Sequence, residues 1–247
     1  MLFRSAGNTV TNSFTYTLDT VAPTAPTLAL QTDSGLSTTD KITNIGQVNL
    51  TGLEGGDKWQ FDINNNGFDM GSTLDPTVTT ATLATSLFSQ GSNTVTILET
   101  DVAGNTVSSS PFTFTFDTVA PSAPTVALSS DTGLSGSDKN TSNGQINITG
   151  LEGGDLWQYS INGSTYNSGA TLASTVTTAT LAASLFSQGS NTVTILETDV
   201  AGNTVSSSPF TFTFDTVAPS APTVALSSDT GLSNSDKNTS KIGRAHV

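Results

Sequence analysis

The side chains able to do chemistry in this chain are almost all carboxylates. Asp and Glu number 20 against 7 Lys and Arg, a net charge of −13. The one histidine is His246, at the far end of the chain, and cysteine is absent. That inventory excludes thiol nucleophiles, disulfides, zinc–thiolate sites and Ser-His-Asp machinery. A chain this acidic repels phosphates, so nucleic acid is excluded as a partner, while cations suit it. No apolar run reaches the ~20 residues of a spanning helix, which argues against direct membrane insertion. The acids recur in sets. One set is Asp117, Glu152, Asp155 and Asp199 with Asn203; its counterpart is Asp19, Glu54, Asp57 and Asp101 with Asn105. A second group pairs Asp33 with Asp40, Asp131 with Asp138 and Asp229 with Asp236. Oxygen-only sets of this kind are what calcium takes, using about 6–8 oxygens from carboxylates, amides and backbone carbonyls.

These sets follow a long repeat. DTVAP begins at Asp19, Asp117 and Asp215, and GLEGGD at Gly52 and Gly150, each step being 98 residues. Residues 77–135 match 175–233 at 58 of 59 positions, Thr85 against Ala183 being the exception. A period near 98 is too long for a solenoid unit and fits whole domains in tandem. Such near-identity reflects recent duplication, so shared residues do not by themselves mark function. The stretch 19–76 against 117–174 differs more and is more informative. The division expected is 1–18, the tail of a preceding unit; 19–116 and 117–214, two full units; and 215–247, the head of a following one. The prolines of DTVAPTAP and DTVAPSAP fix φ and favour extended neighbours, which makes short, stiff linkers.

The elements that must position the acids are strands. With 45 threonines and 33 serines the composition suits β-structure and disfavours helices. Apolar residues alternate with period two: Val48 and Leu50; Trp59, Phe61 and Ile63; Phe112, Phe114 and Phe116; and their counterparts Ile146 and Ile148; Trp157, Tyr159 and Ile161; Phe210, Phe212 and Phe214. EGGD, SQGSN and AGN mark the turns. The reading is about seven strands per unit, an all-β chain of tandem immunoglobulin-like antiparallel β-sandwiches, with Trp59 and Trp157 in the cores and no cysteine pair to bridge the sheets. Glu99 and Glu197 fall late in a strand, Glu99 on the face of Val95 and Ile97, and read as lying at a sheet end rather than as catalytic. Asp62-Ile-Asn-Asn-Asn-Gly67 opens like an EF-hand loop, but Thr73 stands where the bidentate Glu belongs, so it reads as a hairpin turn.

In such a sandwich the loop between the second and third strands and the turn between the last two share one end with the start of the first strand. The linker residue Asp117 then meets Glu152, Asp155, Asp199 and Asn203, and Asp19 meets Glu54, Asp57, Asp101 and Asn105. Several carboxylates about one point repel unless a cation sits among them; the competing reading is a solvated acidic surface in which Asp and Asn serve turns. For Asp33/Asp40 and Asp131/Asp138, between the first two strands, a calcium loop and an Asx turn stand equally open.

The combination DTVAPSAPTVALSSDTGLS, GLEGGD with WQ, TDVAGN and FTFTFDT resembles the bacterial Ig-like repeats of giant secreted surface adhesins, including biofilm-associated proteins and the extender regions of adhesins exported by type I secretion. The resemblance covers residues 6–240. It implies a non-enzymatic, extracellular, calcium-rigidified stalk at the bacterial surface, serving adhesion or biofilm formation. Its immediate partners would be neighbouring repeats of the same chain, with no host or matrix ligand identified. Two other functions compete: a weak, repeated glycan- or protein-binding module, which calls for an exposed aromatic patch, and an accessory region of a secreted hydrolase, which calls for a non-repeated carboxylate pair.

The two ends stand apart. MLFRS at 1–5 and IGRAHV at 242–247 resemble translated sequencing adapter. Setting aside Arg4, Lys241 and Arg244 leaves 4 basic residues against 20 acidic ones. The flanking strands at 6–18 and 215–240 lack sandwich partners of their own, so both ends are expected to be extended and outside the cores.

Overall fold

The computed structural model describes residues 12–73, 75, 77–171, 173, 175–224, 226, 229, 232–233 and 235–239. Both ends with adapter-like sequence lie outside the described residues.

The first unit holds nine strands: β1 (Thr27–Leu30), β2 (Ile42–Thr43), β3 (Val48–Thr51), β4 (Lys58–Ile63), β5 (Asp69–Thr73), β6 (Thr80–Leu83), β7 (Gly91–Thr100), β8 (Thr106–Ser108) and β9 (Phe112–Phe116). The second repeats them as β10 (Thr125–Leu128), β11 (Asn140–Thr141), β12 (Ile146–Thr149), β13 (Leu156–Ile161), β14 (Asn167–Thr171), β15 (Thr178–Leu181), β16 (Gly189–Thr198), β17 (Thr204–Ser206) and β18 (Phe210–Phe214). One sheet runs β1-β3-β6 and the facing one β2-β9-β7-β4-β5, with β8 on β7; the second unit is built alike. The expected seven strands are joined by β2 and β8. These have two and three residues, too short to carry an alternation. The sandwich is also not wholly antiparallel, because β2 pairs parallel with β9.

Alternation decides which faces meet. Val48 and Leu50, Val95 and Ile97, and Phe114 point inward and form one core with Trp59. Ile146, Ile148, Val193, Ile195, Phe212 and Trp157 repeat it. Both tryptophans are only 6% exposed. Each lies against a glycine of the neighbouring strand: a Cβ on Gly71 would stand 2.5 Å from the Trp59 ring, and one on Gly169 2.3 Å from that of Trp157. Phe88 and Phe186 are buried and pack edge-on against Phe114 and Phe212. Phe68 and Tyr166 stay half-exposed. The hairpin at 64–67 is a turn held by Asn64 and Asn65 at φ 58°, with the Gly67 N–H donating to Asp62 Oδ1 at 3.3 Å.

Residues 12–18 form no strand and expose Phe14, Tyr16 and Leu18. Past β18, the described residues again carry no strand.

Candidate functional site

The linker from Asp117 to Pro124 leaves β9 and enters β10. Its start continues the sheet, since the Asp117 N–H donates to the Thr43 carbonyl at 3.0 Å. Two loops of the second unit then hold it. The Ser122 N–H donates to Glu152 Oε1 at 3.0 Å, and Asn203 Nδ2 donates to the Asp117 carbonyl at 2.9 Å. The β12–β13 loop carries Glu152 and Asp155; the β16–β17 turn carries Asp199 and Asn203. Asp117, Glu152, Asp155 and Asp199 line one open cavity of about 380 Å³, together with Ile42, Val200 and Ala201. Four of the five residues expected to converge thus share one cavity, and Asn203 is bonded to Asp199 and the linker. The four acids surround a cavity rather than a point: among the described residues, no three acids stand close enough together to hold a metal ion as placed.

The electrostatics are severe. Asp155 is 4% exposed, and its Oδ2 is buried without a hydrogen-bond partner. Burial, with the charges of Glu197, Asp199, Glu152 and Asp117, pushes its carboxyl up to about 7. Beneath it lies Glu197, fully buried, accepting the Glu152 N–H through Oε1 at 2.6 Å and leaving Oε2 unpartnered. Burial raises it too, against the lowering effect of that hydrogen bond. Buried carboxylate oxygens without partners are costly, and these two sit among like charges. Glu197 is the penultimate residue of β16, close to the sheet end where it was expected. Val193, Ile195 and Glu197 are in phase, so the alternation that buries the valine and isoleucine buries the glutamate. That phase was the available signal.

Asn203 acts as a fastener. Its N–H and Nδ2 donate to the two oxygens of Asp199 at 2.8 and 2.9 Å, closing the turn, while Nδ2 also reaches the linker. Its Oδ1 accepts Asn44 Nδ2 of the first unit at 3.3 Å.

The counterpart set is assembled in the same way. Thr24 N–H donates to Glu54 Oε1 at 2.7 Å, Asn105 Nδ2 donates to the Asp19 carbonyl at 3.3 Å and to Asp101 Oδ2 at 2.8 Å, and Glu99 Oε1 accepts the Glu54 N–H at 2.6 Å. Asp57 is raised by burial and by Glu54 and Asp101, whereas Asp101 is lowered, first by the Asn105 side chain. Asp57 Oδ2 and Glu99 Oε2 are again buried and unpartnered.

The acids between the first strands hold backbone amides of their own loops, with Asp33 Oδ1 and Asp131 Oδ1 buried without a hydrogen-bond partner. Asp33 Oδ2 accepts the Lys41 N–H at 2.9 Å and Asp40 Oδ1 accepts the Ile42 N–H at 3.0 Å; Asp131 and Asp138 do the same for Lys139 and Asn140. Each thus stabilises its own loop, whose lysine adopts φ near 60°.

Two tandem β-sandwiches joined through an acidic linker define a class of Ig-like repeat arrays. The family model of the bacterial Ig-like domain matches residues 20–118 and again 119–216, and the chain belongs to that family. Among curated proteins, none matches it in sequence. Similar solved structures include the fibronectin(III)-like modules of Clostridium thermocellum CbhA, 12% identical over 76% of this chain and 92% of that one, TM-score 0.39. A Ca2+-stabilized adhesin of an Antarctic bacterium that binds ice is 21% identical over 79% and 49%, TM-score 0.37. A 1.5-MDa bacterial ice-binding adhesin is 22% identical over 85% and 68%, TM-score 0.35. This chain spans about half the length of the Antarctic structure. No helix among the described residues is long and apolar enough to cross a membrane.

Proposed function

We propose that these units are spacer repeats of a bacterial surface adhesin, extracellular and non-enzymatic, whose joints are stiffened by calcium. The supporting observation is the acidic cavity at the joint, with the unpartnered Asp155 Oδ2 on its wall and Glu197 Oε2 beneath. A carboxylate set this crowded is stabilised either by protons or by a cation, and calcium is the cation that its all-oxygen chemistry fits. Asp155, Glu152, Asp117 and Asp199 would hold it after side-chain rotation. Asp19, Glu54, Asp57 and Asp101 would hold another, one unit earlier. Bound calcium would cancel the repulsion between linker and loops and so stiffen each joint of a rod that projects an adhesive domain from the cell and supports attachment or biofilm formation. Binding to the ordered state alone also raises stability by mass action.

The test is small-angle scattering and thermal melting of the chain with calcium and with chelator. Calcium is expected to raise the melting temperature and lengthen the particle, and Asp155→Asn with Asp117→Ala to blunt both responses. Superimposable profiles and equal melting temperatures would remove the calcium mechanism.

A further inference from the structure

The joint has a second component that involves no carboxylate. The β1–β2 loop of the first unit receives the β16–β17 turn of the second. The Leu36 N–H donates to the Val200 carbonyl at 3.2 Å, and Ser34 Oγ donates to the Ala201 carbonyl at 2.9 Å. Asn44 reaches Asn203, and Ile42 lines the same cavity as Val200 and Ala201. Contact is so close at Gly35 that a Cβ there would lie 2.0 Å from the Val200 carbonyl oxygen. The same surfaces occur unengaged elsewhere in the molecule. Ala201 is 1% exposed, but its counterpart Ala103 is exposed; Val102 is 89% exposed where Val200 is partly covered; Leu134 is fully exposed where Leu36 is 38% exposed.

We propose that this loop is the receiving half of a unit-to-unit coupling, that its occupant is the Asp-Val-Ala-Gly-Asn turn of the following repeat, and that positions 34, 42 and 44 set its strength. The second unit presents the same half, with Gly133 and Leu134 matching Gly35 and Leu36. It carries Thr132, Asn140 and Ser142 where the first has Ser34, Ile42 and Asn44. Thr132 keeps the inner hydroxyl network, bonding Thr141 at 3.1 Å and Ser142 at 3.0 Å. Ser142 is too short to repeat the Asn44–Asn203 bond, and Asn140 replaces an apolar wall with a polar one. Successive joints of an otherwise near-identical array are thereby graded: firm after the first unit, looser after the second. This coupling is separate from calcium, so it is measured in chelator.

The chain has no cysteine, so Ser110→Cys and Ser208→Cys, both exposed and away from the joint, take spin labels cleanly. Electron–electron distance measurement should give a single narrow peak for the labelled chain. Gly35→Ala should abolish it. Gly133→Ala, at a similar φ of +107° but with no backbone or side chain within 3.4 Å, should leave it intact. Ser34→Thr/Ile42→Asn/Asn44→Ser carries residues that the second unit already accommodates in the same fold, and should broaden the peak. A broad peak in the parent, a narrow one in Gly35→Ala, or loss in both glycine variants would overturn the coupling. An unchanged peak in the triple variant would overturn the assignment of its strength to those positions.

Discussion

The turns at 100–106 and 198–204 are identical in sequence and differ in what surrounds them. Each is closed by the same bonds, Asn105 N–H to Asp101 Oδ1 and Asn203 N–H to Asp199 Oδ1, both at 2.8 Å. The first holds Val102 out to solvent; the second is pressed against the β1–β2 loop of the preceding unit and becomes part of an interface. Among the carboxyl groups below, Asp57 is raised by burial, Glu54 and Asp101 and in turn raises Glu99, while Asp155 is pushed up to about 7 by burial, Glu197, Asp199, Glu152 and, last, the linker carboxylate Asp117. The same turn thus faces solvent at one place and is part of an interface at the other. The joint, rather than the repeat, is where this molecule has a property that one unit lacks.

The largest test asks whether the units are otherwise equal. Trp59→Ala and Trp157→Ala should each cost about 3–5 kcal/mol in the unit that carries it, as large core truncations do. The two tryptophans are the only ones, so each variant leaves the other unit with its own fluorescent reporter. If the reporter unit also loses stability in denaturant titrations, the difference between the turns extends into energetic coupling; two independent transitions would confine it to the joint.

Acidity separates the two joints next. A carboxyl whose folded value exceeds its unfolded one binds more protons when folded, so the stability it contributes falls as pH rises. In chelator the second unit should therefore melt progressively lower as pH climbs from the ordinary Asp value of 3.8 through about 7. Asp155→Asn should flatten that slope. Calcium requires the ionised form, so its stabilising increment should grow over the same interval. A second unit with equal melting temperatures at pH 4.5 and 8 in chelator would contradict the strained carboxyl.

The smallest effect is the sharpest comparison. Asn105→Ala and Asn203→Ala remove the same turn and linker bonds, and only the latter also removes the bond to Asn44. Asn203→Ala should be the more damaging by about 1 kcal/mol, the worth of one net hydrogen bond. Equal losses in thermal melts would mean that the interdomain bond contributes nothing.

Much of the fold was legible from residue order. The alternation through Trp59, Phe61 and Ile63 placed a strand and its buried face, and the pairing of Asp62 with Asn and Gly placed a turn. The short strands β2 and β8 were not legible, because two or three residues cannot show a period and their pairing depends on sheets already formed. At the site, Asp117, Glu152, Asp155 and Asp199 could be nominated because the sandwich plan brings their loops to one end. Glu197 was legible as a residue late in its strand on the inward face, while Ser34, Ile42 and Asn44 were passed over, although they lie in the stretch where the repeats diverge.

The boundary between what is local and what is tertiary is a matter of sequence separation. Two features of the β1–β2 loop recur past the second unit: Lys237 stands at φ 60° and its N–H donates to Asp229 Oδ2 at 3.0 Å. That bond closes within eight residues, so the chain's own turn chemistry suffices. The contacts that make the joint span 86 residues from Asn203 to Asp117, 159 from Asn44 to Asn203 and 167 from Ser34 to Ala201. Bonds of that reach form only after two cores have ordered their loops, since no local preference offsets the entropy of closing such long loops. Repeat, strand, turn and the buried phase of Glu197 were therefore written in the order of residues, whereas the acidic cavity at the joint and the docking of the second unit's turn came from the packing of one domain on the next.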